Sequence, residues 1–234
     1  MKTRHLARRA GACTWAVVLS SLAGFAAADA TPYERMAPLE RYLMSPSSEI
    51  ALARSAAPAA ISANATVLTL DSQGYQTAVH GTNGFTCLVE RSWMAPFDSR
   101  DFWNPKIRGP VCYNPAASKS NLTYTLRRTK LALAGESKEK ILDDVRAEIA
   151  RNEFPPPDPG AMSFMMSKDG YLSDGDNHWH PHLMFHVPKV ASASWGANLP
   201  GSPVVLDDRE VPEPQTVFMV PVSHWSDGTT AKAP

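Results

Sequence analysis

Four histidines fall within nine residues, at His178, His180, His182 and His186 of the segment Asp174-Gly-Asp-Asn-His-Trp-His-Pro-His-Leu-Met-Phe-His-Val-Pro188. Neutral imidazole is the commonest protein ligand for zinc, copper and iron, and His-x-His on a strand aims two rings at one ion. Side chains alternate along a strand, so the even-numbered imidazoles and Met184 share one face, with Trp179, Leu183, Phe185 and Val187 on the other. His178 and His180 are the expected core pair, with His182 or His186 as third ligand and His224 arriving from a neighbouring strand. Three rings in a straight row do not converge. Pro181 marks the bulge or edge that brings His182 in or turns it away. Asp174 and Asp176 are the carboxylates expected to orient the rings from behind. Glu153 and Glu90 are candidates for a general base, and nothing in the sequence brings either one to the histidines. The alternative is a wet sheet face whose rings are satisfied by water and backbone.

His178-Trp-His180 resembles the His-x-His motif of exported zinc peptidases that cut peptidoglycan cross-links. Those families also need an upstream histidine followed by an aspartate, whereas His80 is followed by Gly-Thr-Asn-Gly-Phe-Thr-Cys. Cupins pair His-x-His with a downstream glutamate, near whose place His186 stands here. The chain is assigned to neither family. Calcium-loop, haem-attachment, nucleophile-elbow and phosphate-loop motifs are absent.

Lys2, Arg4, Arg8 and Arg9 precede an uncharged, alanine-rich run from Ala10 to Ala28. With small-x-small sites at Ala28 and Ala30, residues 1–28 read as a signal peptide cleaved after Ala28 or Ala30, which makes the protein periplasmic or secreted. Removing those four basic residues from 23 leaves 19 against 23 acidic, a net charge of −4. That argues against nucleic acid or an anionic membrane surface as a partner. No transmembrane segment is expected after cleavage. Cys13 leaves with the leader, and Cys87 and Cys112 remain as an expected disulfide. Closing that loop stabilises the fold by roughly 3–4 kcal/mol on loop-entropy grounds.

The elements that must position the histidines read as follows. Residues 29–65 form a helical lead-in, with Met36, Leu39 and Leu43 at helical spacing, a break at Ser45-Pro-Ser-Ser, and a short helix from Glu49 to Ala57. Residues 66–234 form a single domain. Strands around Val67–Leu70, Tyr75–Val79 and Phe85–Arg91, joined by Asp71-Ser-Gln-Gly74 and His80-Gly-Thr-Asn-Gly84, predict an antiparallel meander. Glu90-Arg91 at its end reads as a solvated or mutually paired couple. Ser92 to Asn121 reads as a long irregular connection pinned by Cys112. Its aromatics, among them Trp93, Trp103 and Tyr113, line a ligand cleft or form a satellite core.

Leu122 to Ala134 fits strand or helix. Ile141, Leu142, Val145 and Ile149 form a helical stripe stopped by Pro155-Pro-Pro-Asp-Pro-Gly160. Strands follow at Met162–Met166, the histidine segment and Thr216–His224. The order predicts an α+β fold with a mainly antiparallel sheet, N-terminal helices and one mid-chain amphipathic helix.

The leading expectation is an exported, disulfide-bonded protein binding one transition metal, zinc or copper. If it is an enzyme, metal-activated water attacks an envelope or extracellular substrate. The first alternative is a non-enzymatic copper- or zinc-holding protein, with copper suggested by Met184 and Met165-Met166. The second is a metal-free binding module that holds an extracellular small molecule or peptide in the aromatic loop 93–113.

Overall fold

The computed structural model describes residues 33–175, 180–189, 192–206 and 215–232. The leader with Ala28 and Ala30, and the segment holding Asp176, His178 and Trp179, lie outside the described residues. Among the described residues no helix is long and apolar enough to cross a membrane.

The chain from Thr31 onward forms one compact unit. A 3-10 turn at Leu39–Arg41 leads to helix α1, Pro46–Arg54. Ser45-Pro-Ser-Ser starts this helix instead of interrupting one: the Ser45 hydroxyl caps the Ser48 amide at 3.3 Å, and Pro46 occupies the first turn. A short helix α2, Ala59–Ser62, follows. The lead-in therefore packs into the body of the domain, because α1 lies across one face of the sheet.

Strands β1 (Thr66–Asp71) and β2 (Gly74–Val79) form the expected antiparallel hairpin. The third strand, β3 (Thr86–Glu90), does not complete a meander. It pairs parallel to β1 on the side away from β2, through Thr66↔Thr86 and Val67↔Cys87. The cause lies in residues 80–85, which are bonded to the start of β1 and do not turn back on β2. The Thr82 amide donates to the Asn64 carbonyl at 2.9 Å, and the Asn83 side chain donates to that of Ile61 at 2.7 Å. Gly81 is required there, since a Cβ would overlap the backbone of Ala65 and Thr66.

The stretch 92–121 is not irregular throughout. After a 3-10 turn at Ser92–Met94 it contains strand β4, Gly109–Tyr113, which is central in the sheet, and helix α3, Pro115–Lys119. Pro110 hid the strand. The next strand, β5 (Met162–Met165), pairs only with Cys112 and Tyr113, so the proline lies where β4 has a partner strand on one side only. Cys87 and Cys112 are register partners on β3 and β4 and form a disulfide.

Leu122–Ala134 resolves as helix α4, Asn121–Leu133, ended by Gly135 at φ +80° and a hydrogen bond from the Glu136 amide to the Leu131 carbonyl. Helix α5, Lys138–Ala150, follows the expected stripe with Ser137 as its cap. There are thus two mid-chain amphipathic helices of 13 residues, not one. Strands β6 (His182–Pro188), β7 (Val205–Leu206) and β8 (Gln215–Pro221) complete the order β2-β1-β3-β4-β5-β6-β8-β7. Among the described residues this is a mixed α/β protein with five helices and a mostly antiparallel eight-stranded sheet, in which the β1–β3 pair is parallel.

The two faces of the sheet are covered differently. Val67, Cys87, Val89, Cys112 and Phe164 meet the alanines of α1 and its following turn. Leu68, Leu88, Val111, Tyr113, Met165 and Met184 face the other way, toward Ala117 and Leu122 of α3 and α4. Helices α3 and α4 cover one end of that second face, and among the described residues the other end is open.

Candidate functional site

The open end is a groove of about 1230 Å3. Its floor is the second face of β3 to β6 and β8, and its walls are loop 94–107, turn 168–173 and segment 225–232. Alternation and register together determine which side chains reach that floor. Met165 on β5 is paired with His182 on β6, and Met184 on β6 is paired with Met219 on β8. All four line the groove. Directly opposed Cβ atoms on antiparallel strands are about 4.5–5.5 Å apart, and i, i+2 neighbours about 6.6 Å. One imidazole and three thioethers therefore occupy a single patch.

The histidines are distributed unevenly about this patch. Strand β6 begins at His182, so the row expected from His178 onward is a strand only from its third histidine. His182 Nδ1 donates to the His180 carbonyl at 2.9 Å, which assigns the lone pair of the neutral ring to Nε2. Burial pushes the pKa of His182 down, so the ring is neutral at pH 7. His180 lines the same groove.

His186 shares the face of His182 but sits at its covered end. It is 5% exposed, its Nε2 is 2.9 Å from Ser163 Oγ, and its ring lies near Tyr113. Among the described residues no group meets Nδ1 with hydrogen-bond geometry, and burial, opposed by the Gln215 side chain, lowers the pKa of the ring to about 4. His224 is exposed beyond β8, bonded through Nδ1 to Ser223 Oγ at 2.8 Å and bridged to Thr230. His186 and His224 are outside the groove lining, and among the described residues no three His, Cys, Asp or Glu side chains converge.

Asp174 is engaged elsewhere. It accepts from Tyr33 Oη at 2.5 Å, from Tyr171 Oη and from Lys106 Nζ at 3.1 Å. These donors hold its carboxyl well below the usual range and tie the N-terminal segment to loop 94–107. The aromatic residues of 93–113 are core. Trp93 donates Nε1 to Thr129 Oγ1 at 3.0 Å, the Trp103 carbonyl accepts from Tyr42 Oη at 2.7 Å, and both rings pack with Phe102 beneath the loop. The loop's contribution to the groove comes instead from Met94, Ala95, Pro96, Ser99, Asp101 and Ile107.

Two carboxylates line the groove. Glu90 and Arg91 are not paired with each other: Arg91 is fully buried, whereas Glu90 is partly exposed. They leave β3 in opposite directions, Arg91 to a buried bond with Glu49 and Glu90 into the groove. Glu90 Oε1 accepts from Tyr113 Oη at 2.7 Å and from Thr125 Oγ1 at 3.2 Å. Burial raises its pKa against the lowering effect of those two hydroxyls. Asp101 is buried and held by Asn104 Nδ2 at 2.9 Å and Ser173 Oγ at 2.7 Å. Glu153, the other base considered, is exposed and paired with Arg151. Met219 was not singled out by sequence, because only the register of β6 against β8 brings it to Met184. Neither a family model, nor a curated protein, nor a solved structure matches the chain.

Proposed function

We propose that this is an extracytoplasmic protein that holds a monovalent copper ion on the groove floor, through His182 and the thioethers of Met165, Met184 and Met219. The observation that carries the reading is the register: Met165 stands opposite His182 and Met219 opposite Met184 on one open face. Thioether sulfur with imidazole is a soft donor set that favours Cu(I) over zinc. A ring kept neutral by burial binds without first losing a proton. The disulfide supports the same reading. In an oxidising compartment thiolates are lost to cystine, and methionine is the soft donor that remains. Export itself rests on the basic leader and its apolar run.

A metal-activated water would need three nitrogen or oxygen ligands and an open position. His178 would have to join His180 and His182 for that chemistry. The two readings separate on one experiment: anaerobic titration of the mature protein with Cu(I) against a chromogenic chelator, and with Zn(II). We expect one Cu(I) per chain, weakened at least a hundredfold in His182→Ala/Met184→Leu and unchanged in His178→Ala. Stoichiometric Zn(II), insensitive to Met→Leu changes and lost in His178→Ala, would overturn the copper reading in favour of the hydrolytic one.

A further inference from the structure

From the geometry around Glu90 we infer that the groove also binds a primary ammonium group carried on an apolar body, with Glu90 as its counter-ion. Glu90 is the last residue of β3, and its carboxyl is aimed by hydroxyls from two other elements, Tyr113 on β4 and Thr125 on α4. Both donate to Oε1. Among the described residues Oε2 takes no hydrogen bond, and no basic group forms an ion pair with Glu90.

Three of the neighbouring cations, Arg91, Arg128 and Lys168, are engaged with other groups. Arg91 is bonded to Glu49, to the Tyr42 carbonyl at 2.8 Å and to the Val89 carbonyl. Arg128, whose field reaches Glu90, donates to the Ala95 carbonyl at 2.8 Å and lies 4.2 Å over the Phe97 ring. Lys168, farther along the groove, pairs with Asp227 at 2.5 Å. Lys232 lines the groove from the C-terminal segment. Tyr75 and Tyr113 have their pKa values raised by burial and are neutral, and Asp101, Tyr171, His180 and His182 line the same groove.

A glycine lets the side chains around the base of Glu90 approach one another closely. Gly109 is the register partner of Glu90. A Cβ at that position would lie 3.1 Å from Leu172 Cδ2 and 3.6 Å from both Glu90 Cβ and Met165 Cε. Any side chain there would fill the room between them. The walls of this space are Met94, Ile107, Met165 and Leu172, an apolar lining with adaptable thioethers.

The form of the cation follows from the occupancy of the two oxygens. With Oε1 taken by two hydroxyls, a guanidinium cannot form its two parallel bonds, whereas an ammonium needs only one acceptor. The Asp101 carboxylate, the second one in the groove lining, adds to the negative potential. Desolvation of the site strengthens the attraction relative to water. The apolar walls select the body of the ligand, so the class is an amphipathic primary amine.

The test is calorimetric titration of metal-free protein with n-octylammonium, octyltrimethylammonium and 1-octanol, each below its micellar concentration, between pH 5 and 8. The result expected is octylammonium binding at least tenfold tighter than either control, with affinity rising as Glu90 ionises. In Glu90→Gln, which keeps an oxygen for Tyr113 and Thr125, the preference and its pH dependence should both disappear while the melting temperature is not lowered. Gly109→Val should weaken octylammonium and octanol alike. Octanol binding as tightly as the amine in wild type, or an amine preference that survives in Glu90→Gln, would overturn the assignment. No metal is present, so failure here leaves the copper reading untouched.

Discussion

Arg91 Nη2 donates to Glu49 Oε1 at 2.7 Å with both side chains at 0% exposure. The same oxygen accepts the Leu70 amide at 3.2 Å, so one carboxylate on α1 fixes the end of β3 and the end of β1 together. Arg91 in turn bonds the carbonyls of Tyr42 and Val89. Removing one partner of such a pair leaves the other charge buried without compensation, which costs about 3–5 kcal/mol. Glu49→Ala should therefore lower stability by about that amount, measured as the urea midpoint at pH 7. Glu49→Leu/Arg91→Met, which removes both charges, should lose much less. Equal losses in the single and double variants would mean that packing, not charge, holds this corner.

Glu90 makes an opposite kind of contribution. Its pKa is raised in the folded protein, so the stability it adds is present below its unfolded pKa and is lost as pH rises through the folded value. Glu90→Gln keeps the hydroxyl contacts and cannot ionise. The variant should match wild type at about pH 4 and exceed it at pH 7, by on the order of 1 kcal/mol. Denaturant midpoints across that range measure the difference. A variant no more stable than wild type at pH 7 would show that ionising Glu90 costs the fold nothing.

His186 titrates with the other sign. Burial holds its pKa at about 4, so its contribution is present above the unfolded value near 6.5 and is lost as pH falls toward 4. The full difference is roughly 3 kcal/mol, and it appears as a steep acid limb in stability. His186→Phe should flatten that limb while losing about 1 kcal/mol at pH 7 for the bond to Ser163. Glu90→Gln, tested beside it, should leave the acid limb in place. The two titrations are thereby assigned to residues at opposite ends of one sheet face.

What the sequence carries of this arrangement is what local chemistry carries. The Ile141 and Val145 stripe, the Asp71-Ser-Gln-Gly74 turn and the alternation through His182, Met184 and His186 are all local, and each is found where pattern puts it. Partnership between strands is not local. The parallel pairing of β3 depends on Asn83 reaching back to Ile61, and Asn-Gly chemistry alone describes a hairpin equally well. Pro110 argues against a strand until one knows that β5 stops short of it. For the same reason the histidine run leads to the groove through His180 and His182 but does not say what else lines it. Met165, Met219 and Glu90 arrive from three other strands, and only register assigns them to one groove. Trp93 and Trp103 read as a satellite core before a cleft, and the sequence does not decide between the two, since an aromatic residue in a proline-rich loop has no period to say which way it faces.

The disulfide offers a last expectation, one that links stability to the site. Cys87 and Cys112 are fully buried on the α1 face of the sheet, opposite the groove. A reductant without denaturant should therefore act slowly, limited by opening of the fold, and thiol titration of the unreduced denatured protein should find no free thiol in the mature chain. Cys87→Ala/Cys112→Ala removes the crosslink and should cost roughly 3 kcal/mol from loop entropy, read as a lower urea midpoint. Because neither sulfur reaches the floor that carries His182 and Met184, the folded variant should still take up one Cu(I) per chain with wild-type affinity. Simple reduction is the wrong comparison here, since two freed thiols would add copper ligands of their own. Loss of copper uptake in the alanine variant, at temperatures where it remains folded, would relocate the metal from the methionine face to the cysteines.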